Sequence, residues 1–316
     1  MAASLKLAVV LSFLWTAAAL AGEPATPWVG KSPAESRLIL ESAQFQGTGI
    51  HRAGVQIRLE KGWWTYWRAP GSSGMPPMFD WSGSENLADD PEMIWPVPLR
   101  TVAYGEALNL YKEEVVFPIE FRAADPKKPV KLHLKVIFGA CRDMCVPETA
   151  AHEITLTPST GPLSADQKFA ELISSYIGRK PSHDPGAVGL AIREVRAGAN
   201  NAKTFLSIRV QGLQGKRSTL VLIEAPELTR VSEIVPRATD DRRTKLLMLN
   251  LGSTPKLRDL SGKRIRITVI DGERALEQIW VVGTQGSSVA GIDLTPVPRR
   301  PIDKPEPWSH TADWEQ

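Results

Sequence analysis

KLHLKVIF (Lys131 to Phe138) runs through Gly139-Ala140 into Cys141-Arg142-Asp143-Met144-Cys145, and the chain returns in HEITLT (His152 to Thr157). Leu132, Leu134, Val136 and Phe138 recur at every second position, the period of a strand with one buried face. HEITLT answers with the same period. The two segments are therefore expected to pair as a hairpin whose tip carries both cysteines. Outward from it, RLILE (Arg37 to Glu41) and GVQIRL (Gly54 to Leu59) show the same alternation. VVFPIEF (Val115 to Phe121) is another candidate strand, and its Pro118 points to an edge or a bulge. Short strands separated by Gly and Pro turns predict an all-β sandwich.

The period changes after Gly161. Ser164 followed by Gln167 forms a capping box, and Phe169, Leu172, Ile173, Tyr176 and Ile177 recur at helical spacing. Gly178 and Pro181 end that pattern, so a helix is expected from Ser164 to Arg179 with a linker from Lys180 to Gly189. A second β-rich region follows, with strands expected at Thr204 to Val210, Ser218 to Ile223, Lys245 to Leu251, Lys263 to Ile270 and Ala275 to Val282. The expected organisation is a signal peptide (1–21), a first sandwich (22–160), a helical connector and linker (161–189), a second sandwich (190–285) and a Pro-rich tail (286–316), extended or disordered.

Composition agrees with two globular domains. The chain has 316 residues, 42% of them hydrophobic and 23% charged, which excludes disordered, collagen-like and coiled-coil classes. A net charge of +3 speaks against a nucleic-acid partner. Lys6, the apolar run from Leu7 to Leu20 and the small-x-small triplet Ala19-Leu20-Ala21 read as a cleaved secretory signal. That run falls short of the roughly 20 residues needed to span a bilayer, and charged residues interrupt every later one. A soluble, exported protein is expected, in a compartment that permits disulfides.

Two cysteines are too few for an all-cysteine zinc site or a disulfide-stapled scaffold. Spaced four apart across a tight turn, Cys141 and Cys145 are able to meet the Cα separation of a disulfide. As a staple, a five-residue loop contributes only about 2 kcal/mol, against about 4.7 for a loop of 100 residues. Short loop-tip disulfides are also among the more exchangeable ones. Three uses of the pair stay open at this point: a staple, thiol–disulfide exchange, or metal binding. For the last, Cys141, Met144 and Cys145 are soft donors suited to Cu(I), with Met75 and Met78 as additions. Trp63-Trp64-Thr65-Tyr66-Trp67 would turn Trp63 and Trp67 one way and Trp64 and Tyr66 the other; the run is read mainly as core. His51, His133, His152, His183 and His310 lack metal-ligand spacing, and His133 and His152 are expected on solvent faces of the hairpin. No phosphate-binding loop or nucleophile elbow occurs.

The run from Gly62 to Arg68 (GWWTYWR), the run from Gly74 to Trp81, Tyr104-Gly105 followed by Tyr111 and Val116-Phe117-Pro118, and Cys141 to Thr149 together resemble another protein family. It is the periplasmic N-terminal domain of DsbD-type thiol:disulfide interchange proteins, nearest the ScsB branch associated with copper tolerance. The resemblance implies immunoglobulin-like sandwiches and a protein-disulfide reductase or interchange component of the periplasm. Its redox group is the cysteine pair, without a cofactor. Cys145 would attack the partner and Cys141 would resolve the mixed disulfide, with Tyr104 and Gly105 in a shielding cap. Arg142 is a candidate for tuning a thiolate, opposed by Asp143. Implied partners are a thioredoxin-like protein or a separately encoded DsbD-type membrane conduit on one side, and oxidised periplasmic proteins on the other. The tight cysteine spacing departs from the best-known DsbD domains and agrees with the ScsB-like branch.

Overall fold

A computed structural model describes residues 24–71, 73–163, 165–200, 203–214, 219–225, 234–237, 244–252, 262–283 and 292–297. The expected signal peptide, Ser164, His310 and most of the tail lie outside these residues. The first half contains β1 (Val29–Lys31), β2 (Ala34–Leu40), β3 (Gln44–Phe45), β4 (His51–Leu59), β5 (Trp64–Gly71), β6 (Met78–Asp80), β7 (Glu92–Met93), β8 (Leu99–Ala103), β9 (Glu106–Lys112), β10 (Glu114–Phe121), β11 (Val130–Cys141) and β12 (Cys145–Pro158). Helices α1 (Gln167–Ile177) and α2 (Pro185–Val188) follow. The second half contains β13 (Ala191–Asn200), β14 (Lys203–Gln211), β15 (Leu220–Glu224), β16 (Ile234–Arg237), β17 (Thr244–Gly252), β18 (Arg264–Asp271), β19 (Arg274–Val282) and β20 (Ile292–Val297).

Two sheets make the first sandwich, ordered β1-β2-β4-β10-β7 and β3-β12-β11-β5-β9-β8, with β6 added on β11. Alternation sends Leu38, Leu40, Val55, Ile57, Phe117 and Ile119 from one sheet, and Trp67, Leu132, Leu134, Val136 and Phe138 from the other, into one core. Pro118 fits because of which way its nitrogen points. The Pro118 carbonyl accepts from Ile94 N on the β7 side, and a residue's N and C=O share a side in a strand. The missing donor therefore faces the short β7, and the β4 ladder is intact along the whole of β10.

Helix α1 starts later than the capping-box reading: Asp166 is the N-cap and accepts from Phe169 N. It is also more than a connector. Phe169, Ile173 and Tyr176 are buried in the first core, so the amphipathic stripe is satisfied by the outer face of β2, β4 and β10. The linker behind it is tied down as well. Ser182 N donates to Ala275 O, and Glu277 N donates to Ser182 O, adding the linker to the edge of β19.

The second half follows one strand path, β15-β18-β19-β20-β13-β14-β17-β16. Its two wings bury Val221, Ile223, Ile265, Ile267 and Val269 against Val195, Leu206, Ile208, Leu247 and Leu249 in a second core, as a sandwich does. The strand joining the wings is β20, which pairs with both β19 and β13. It lies inside the segment expected to be an extended tail, where Pro296 and its neighbours hid the strand signal. The outer face of β15, β18 and β19 packs on the first half, contributing Leu222, Ile270 and Ala275 to its core.

The expectation that His152 faces solvent is overturned. On β12 the even positions point inward, and His152 is 3% exposed. Its Nε2 lies 2.9 Å from Ser36 Oγ and its Nδ1 3.3 Å from Thr26 Oγ1, so two hydroxyls satisfy the ring. Burial holds its pKa down at about 4. His133 is on the outward face, with Nδ1 2.8 Å from Ser82 O. Among the described residues no helix is long and apolar enough to cross a membrane.

Candidate functional site

β11 and β12 pair without interruption from Val130↔Leu156 to Cys141↔Cys145. The cross-strand pair that closes the hairpin is the disulfide itself, with Cα atoms 4.1 Å apart. Arg142, Asp143 and Met144 form the exposed turn. The two sulfurs have unlike surroundings: Cys141 is 1% exposed, whereas Cys145 is an exposed residue. Cys145 is therefore the member of the pair that solvent reaches, and Cys141 the one enclosed by the protein.

The aromatic run explains the burial of Cys141. Trp63 and Trp67 pack on the main core. Trp64 and Tyr66 turn to the other face of the sheet, where Tyr66, Leu108, Leu110 and Cys141 form a small separate cluster with Trp64 and Ala103 packed against it. Within this cluster the Tyr66 hydroxyl lies 3.7 Å from Cys145 Sγ. A sulfur in a disulfide carries no proton, so the hydroxyl is the donor. Gly74 permits this arrangement, since at φ +127° a Cβ there would sit 2.5 Å from Tyr66 Cε1. Tyr66 is the site residue that motif reasoning missed; its alternation with Trp67 was the available signal.

Tyr104 and Gly105 form the two-residue turn of the β8–β9 hairpin, closed by the Ala103↔Glu106 pair. Both have positive φ, 54° and 78°, the geometry of a type I′ turn. From this turn the Tyr104 hydroxyl donates to Arg142 O (3.2 Å) and Asp143 Oδ1 (3.1 Å). The hydrogen bond to the Asp143 carboxylate raises the phenol pKa. Tyr104 is thus brought to the hairpin tip and braces it while remaining 73% exposed. Leu108, Leu110 and Tyr66 surround Cys141. Arg142 Nε donates to Asp143 Oδ2 at 3.1 Å, and its guanidinium sits 5.2 Å from the Trp63 ring centroid. Its charge is therefore shared between a carboxylate and an aromatic face.

Of the soft donors, Met144 stands exposed in the turn. Met75 lies beside the pair: a Cβ on Gly139 would meet Met75 Cβ at 3.2 Å and Cys141 Sγ at 3.6 Å. Met78 is placed one step along, opposite Ile137. Among the described residues no group of three or more His, Cys, Asp or Glu side chains is arranged to hold a metal ion.

A second polar centre, unforeseen in the sequence, joins the two sandwiches. Arg68 at the far end of β5 donates from Nε to Glu224 Oε2 and from Nη2 to Glu224 Oε1, both at 2.9 Å, and also to Glu277 Oε2. Arg266 lies 3.7 Å from Glu224 and 3.8 Å from Glu277, while Thr268 Oγ1 donates to Glu277 Oε2 at 3.0 Å. Burial opposes the charges of Arg68 and Glu277. For Arg68 the two carboxylates outweigh it and hold the pKa above the ordinary value. For Glu277 the two guanidiniums outweigh it and hold the carboxyl well below its usual range.

Residues 35–157 match the family model of the N-terminal domain of the thiol:disulfide interchange protein DsbD. Residues 184–285 match a domain family of unknown function, DUF8393. In fold the chain is similar to the crystal structure of the N-terminal periplasmic domain of ScsB from Proteus mirabilis. That likeness has a TM-score of 0.61 at 20% identity and covers 83% of this chain and 99% of the other. No curated protein matches the chain.

Proposed function

We propose that this chain, whose first sandwich is of the DsbD N-terminal type, is a periplasmic thiol–disulfide exchange protein working through Cys141 and Cys145. The observation that carries the reading is the asymmetry of the pair, an exposed Cys145 bonded to a buried Cys141 at a hairpin tip. Exchange needs one accessible sulfur and a second thiol to release the partner.

The steps balance as follows. A thiolate of a reduced thioredoxin-like donor attacks Cys145 Sγ, forms a mixed disulfide and expels the Cys141 thiolate. The donor's second thiolate attacks its own bonded sulfur, which frees Cys145 and leaves the pair reduced by two electrons. The Cys145 thiolate then attacks a disulfide of an oxidised periplasmic protein and releases one substrate thiolate. Cys141, once deprotonated, attacks Cys145 Sγ, expels the second substrate thiolate and restores the intramolecular bond. Tyr66 is placed to donate a hydrogen bond to Cys145 in its thiolate state. Tyr104 and Gly105 act as the cap, bracing the tip so that the sulfurs meet partners in one geometry. Arg142 contributes less, since Asp143 already pairs with it.

A redox titration against glutathione tests the reading. A potential above about −300 mV, the region below which structural disulfides lie, is expected. A Cys141→Ser variant should accumulate a mixed disulfide between Cys145 and a thioredoxin-like partner. A pair that resists reduction, with no trapped partner, would overturn it. Cu(I) binding by the reduced cysteines is a second reading, favoured by Met75 lying against Gly139 beside Cys141. Anaerobic Cu(I) competition decides it: an affinity unchanged by Cys145→Ser and Met144→Ala removes copper from the account.

A further inference from the structure

β5 links the two polar centres. Trp64 and Tyr66 share one face of the strand; two residues on, past a register shift, the Arg68 guanidinium folds over the Trp67 ring, 4.4 Å from its centroid. Trp64 is the Cα partner of Cys141, Tyr66 reaches Cys145 Sγ, and Arg68 is gripped by Glu224 and Glu277 of the second sandwich.

Ordinary ladder pairing does not hold the middle of β5, which carries Arg68. Against β9, the strand pairs at Trp64, Thr65 and Tyr66 and next at Gly71, with a register shift between. Against β11 it pairs at Trp64 alone, because β6 takes over at Ile137 and Val136. Residues 67–70 are thus without a ladder partner on either side. They are fixed by Trp67 buried in the main core, by Arg68 stacked on its ring, by Asn109 Nδ2 donating to Ala69 O at 2.8 Å and by the two-carboxylate grip on Arg68. Arg68 is about 10% exposed, as are Glu224 and Glu277 at 12% and 10%. A dry, bidentate ion pair has a narrow geometric optimum, so it fixes the stretch of β5 between the Tyr66 and Gly71 ladder pairs.

We propose that Arg68 is a positioning residue for the redox centre and that the second sandwich, through Glu224 and Glu277, is its anchor. The clamp holds β5 in the register that aims the Tyr66 hydroxyl at Cys145, where it stabilises the thiolate of the reduced protein. This assigns a task to the 184–285 domain: it is a fixed support for the exchange site. The inference rests on the proposed thiol–disulfide chemistry but is readable without it.

The test uses the full chain. Arg68→Met alone would strand two buried carboxylates and endanger folding. Arg68→Met combined with Glu224→Gln keeps the cluster neutral, leaving Glu277 with Arg266. Two quantities are compared with wild type: the equilibrium constant of the pair with glutathione, and the pH profile of Cys145 alkylation in chemically reduced protein. Both are repeated in a Tyr66→Phe background, and Val221→Ala serves as a stability-matched control in the second core. The expected result is a threefold or larger shift in the equilibrium constant and a Cys145 profile displaced to higher pH. The control should lack both changes, and so should the clamp variant when compared within the Tyr66→Phe background. A folded clamp variant with unchanged constants and profile would reduce the cluster to domain glue. A shift of equal size without the Tyr66 hydroxyl would overturn the route through that residue. Failure of wild type itself to equilibrate with glutathione would sink the exchange function, and the alkylation arm would still judge the clamp.

Discussion

The hairpin tip and the junction between the sandwiches each contain an arginine bonded to a carboxylate, and the two pairs mean opposite things. At the tip, Arg142 and Asp143 side chains are 52% and 76% exposed. Water screens the pair, its long side chains lose entropy in forming it, and such contacts contribute about 0–1 kcal/mol. At the junction, the arginines and carboxylates are 10–14% exposed. There each charge has lost its hydration, and removing one partner leaves the others buried without compensation. The wet pair adds little to the tip, whereas the dry cluster ties the two sandwiches together. Distance alone would not separate them; burial does.

The largest effect should come from breaking the dry cluster on one side only. Arg68→Met is expected to cost about 3–5 kcal/mol in chemical denaturation, and a loss below 1 kcal/mol would erase the contrast between the regions. Acidification sharpens it next. His152 has its pKa lowered from 6.5 to about 4 by burial, so the unfolded chain takes up a proton at higher pH than the folded one. The His152 contribution is complete above pH 6.5 and is lost as the pH falls from there to about 4. The loss is about 3 kcal/mol. Denaturation midpoints at stepped pH should show this decline, and His152→Gln should flatten it. Glu277, held low by its arginines, keeps the junction charged throughout that window.

Smaller effects follow on each side. Tyr111 is buried, and its hydroxyl donates to Pro96 O at 2.6 Å. Tyr111→Phe leaves that carbonyl unpaired and is expected to cost about 1–3 kcal/mol. Least of all, Asp143→Asn at the tip should change stability by less than about 1 kcal/mol. The same change removes the charge that Tyr104 and Arg142 share, so the Tyr104 brace should loosen. Faster alkylation of Cys141 in the reduced protein, with the melting temperature unmoved, is the outcome to look for.

Reading the chain alone located much of this. Lys131 to Phe138 and His152 to Thr157 became β11 and β12 because a half-buried strand writes its burial into alternate residues. The strands at Gln44–Phe45, Glu92–Met93 and Met78–Asp80 are two or three residues long, too short to show a period. β15 is covered on both faces, which turns alternation into a nearly continuous apolar run, whereas β18 keeps its alternation and sets Arg266 and Thr268 on the face that reads as wet; neither pattern tells which residues meet the neighbouring sandwich. His152 was misplaced because a polar residue on a strand ordinarily marks the wet face. Here the hydroxyls of Ser36 on β2 and Thr26 in the segment before β1 satisfy it inside.

By itself the sequence determined the β architecture, the hairpin with both cysteines at its tip, and the two-faced aromatic strand. These are local facts: a period of two and a four-residue spacing are complete within a dozen residues. Tertiary structure alone decided which sulfur is exposed, that Tyr66 meets it, and that Arg68 finds Glu224 and Glu277, 156 and 209 positions away. Burial and charge pairing depend on what folds over a residue. That covering comes from distant segments whose arrival no local pattern records.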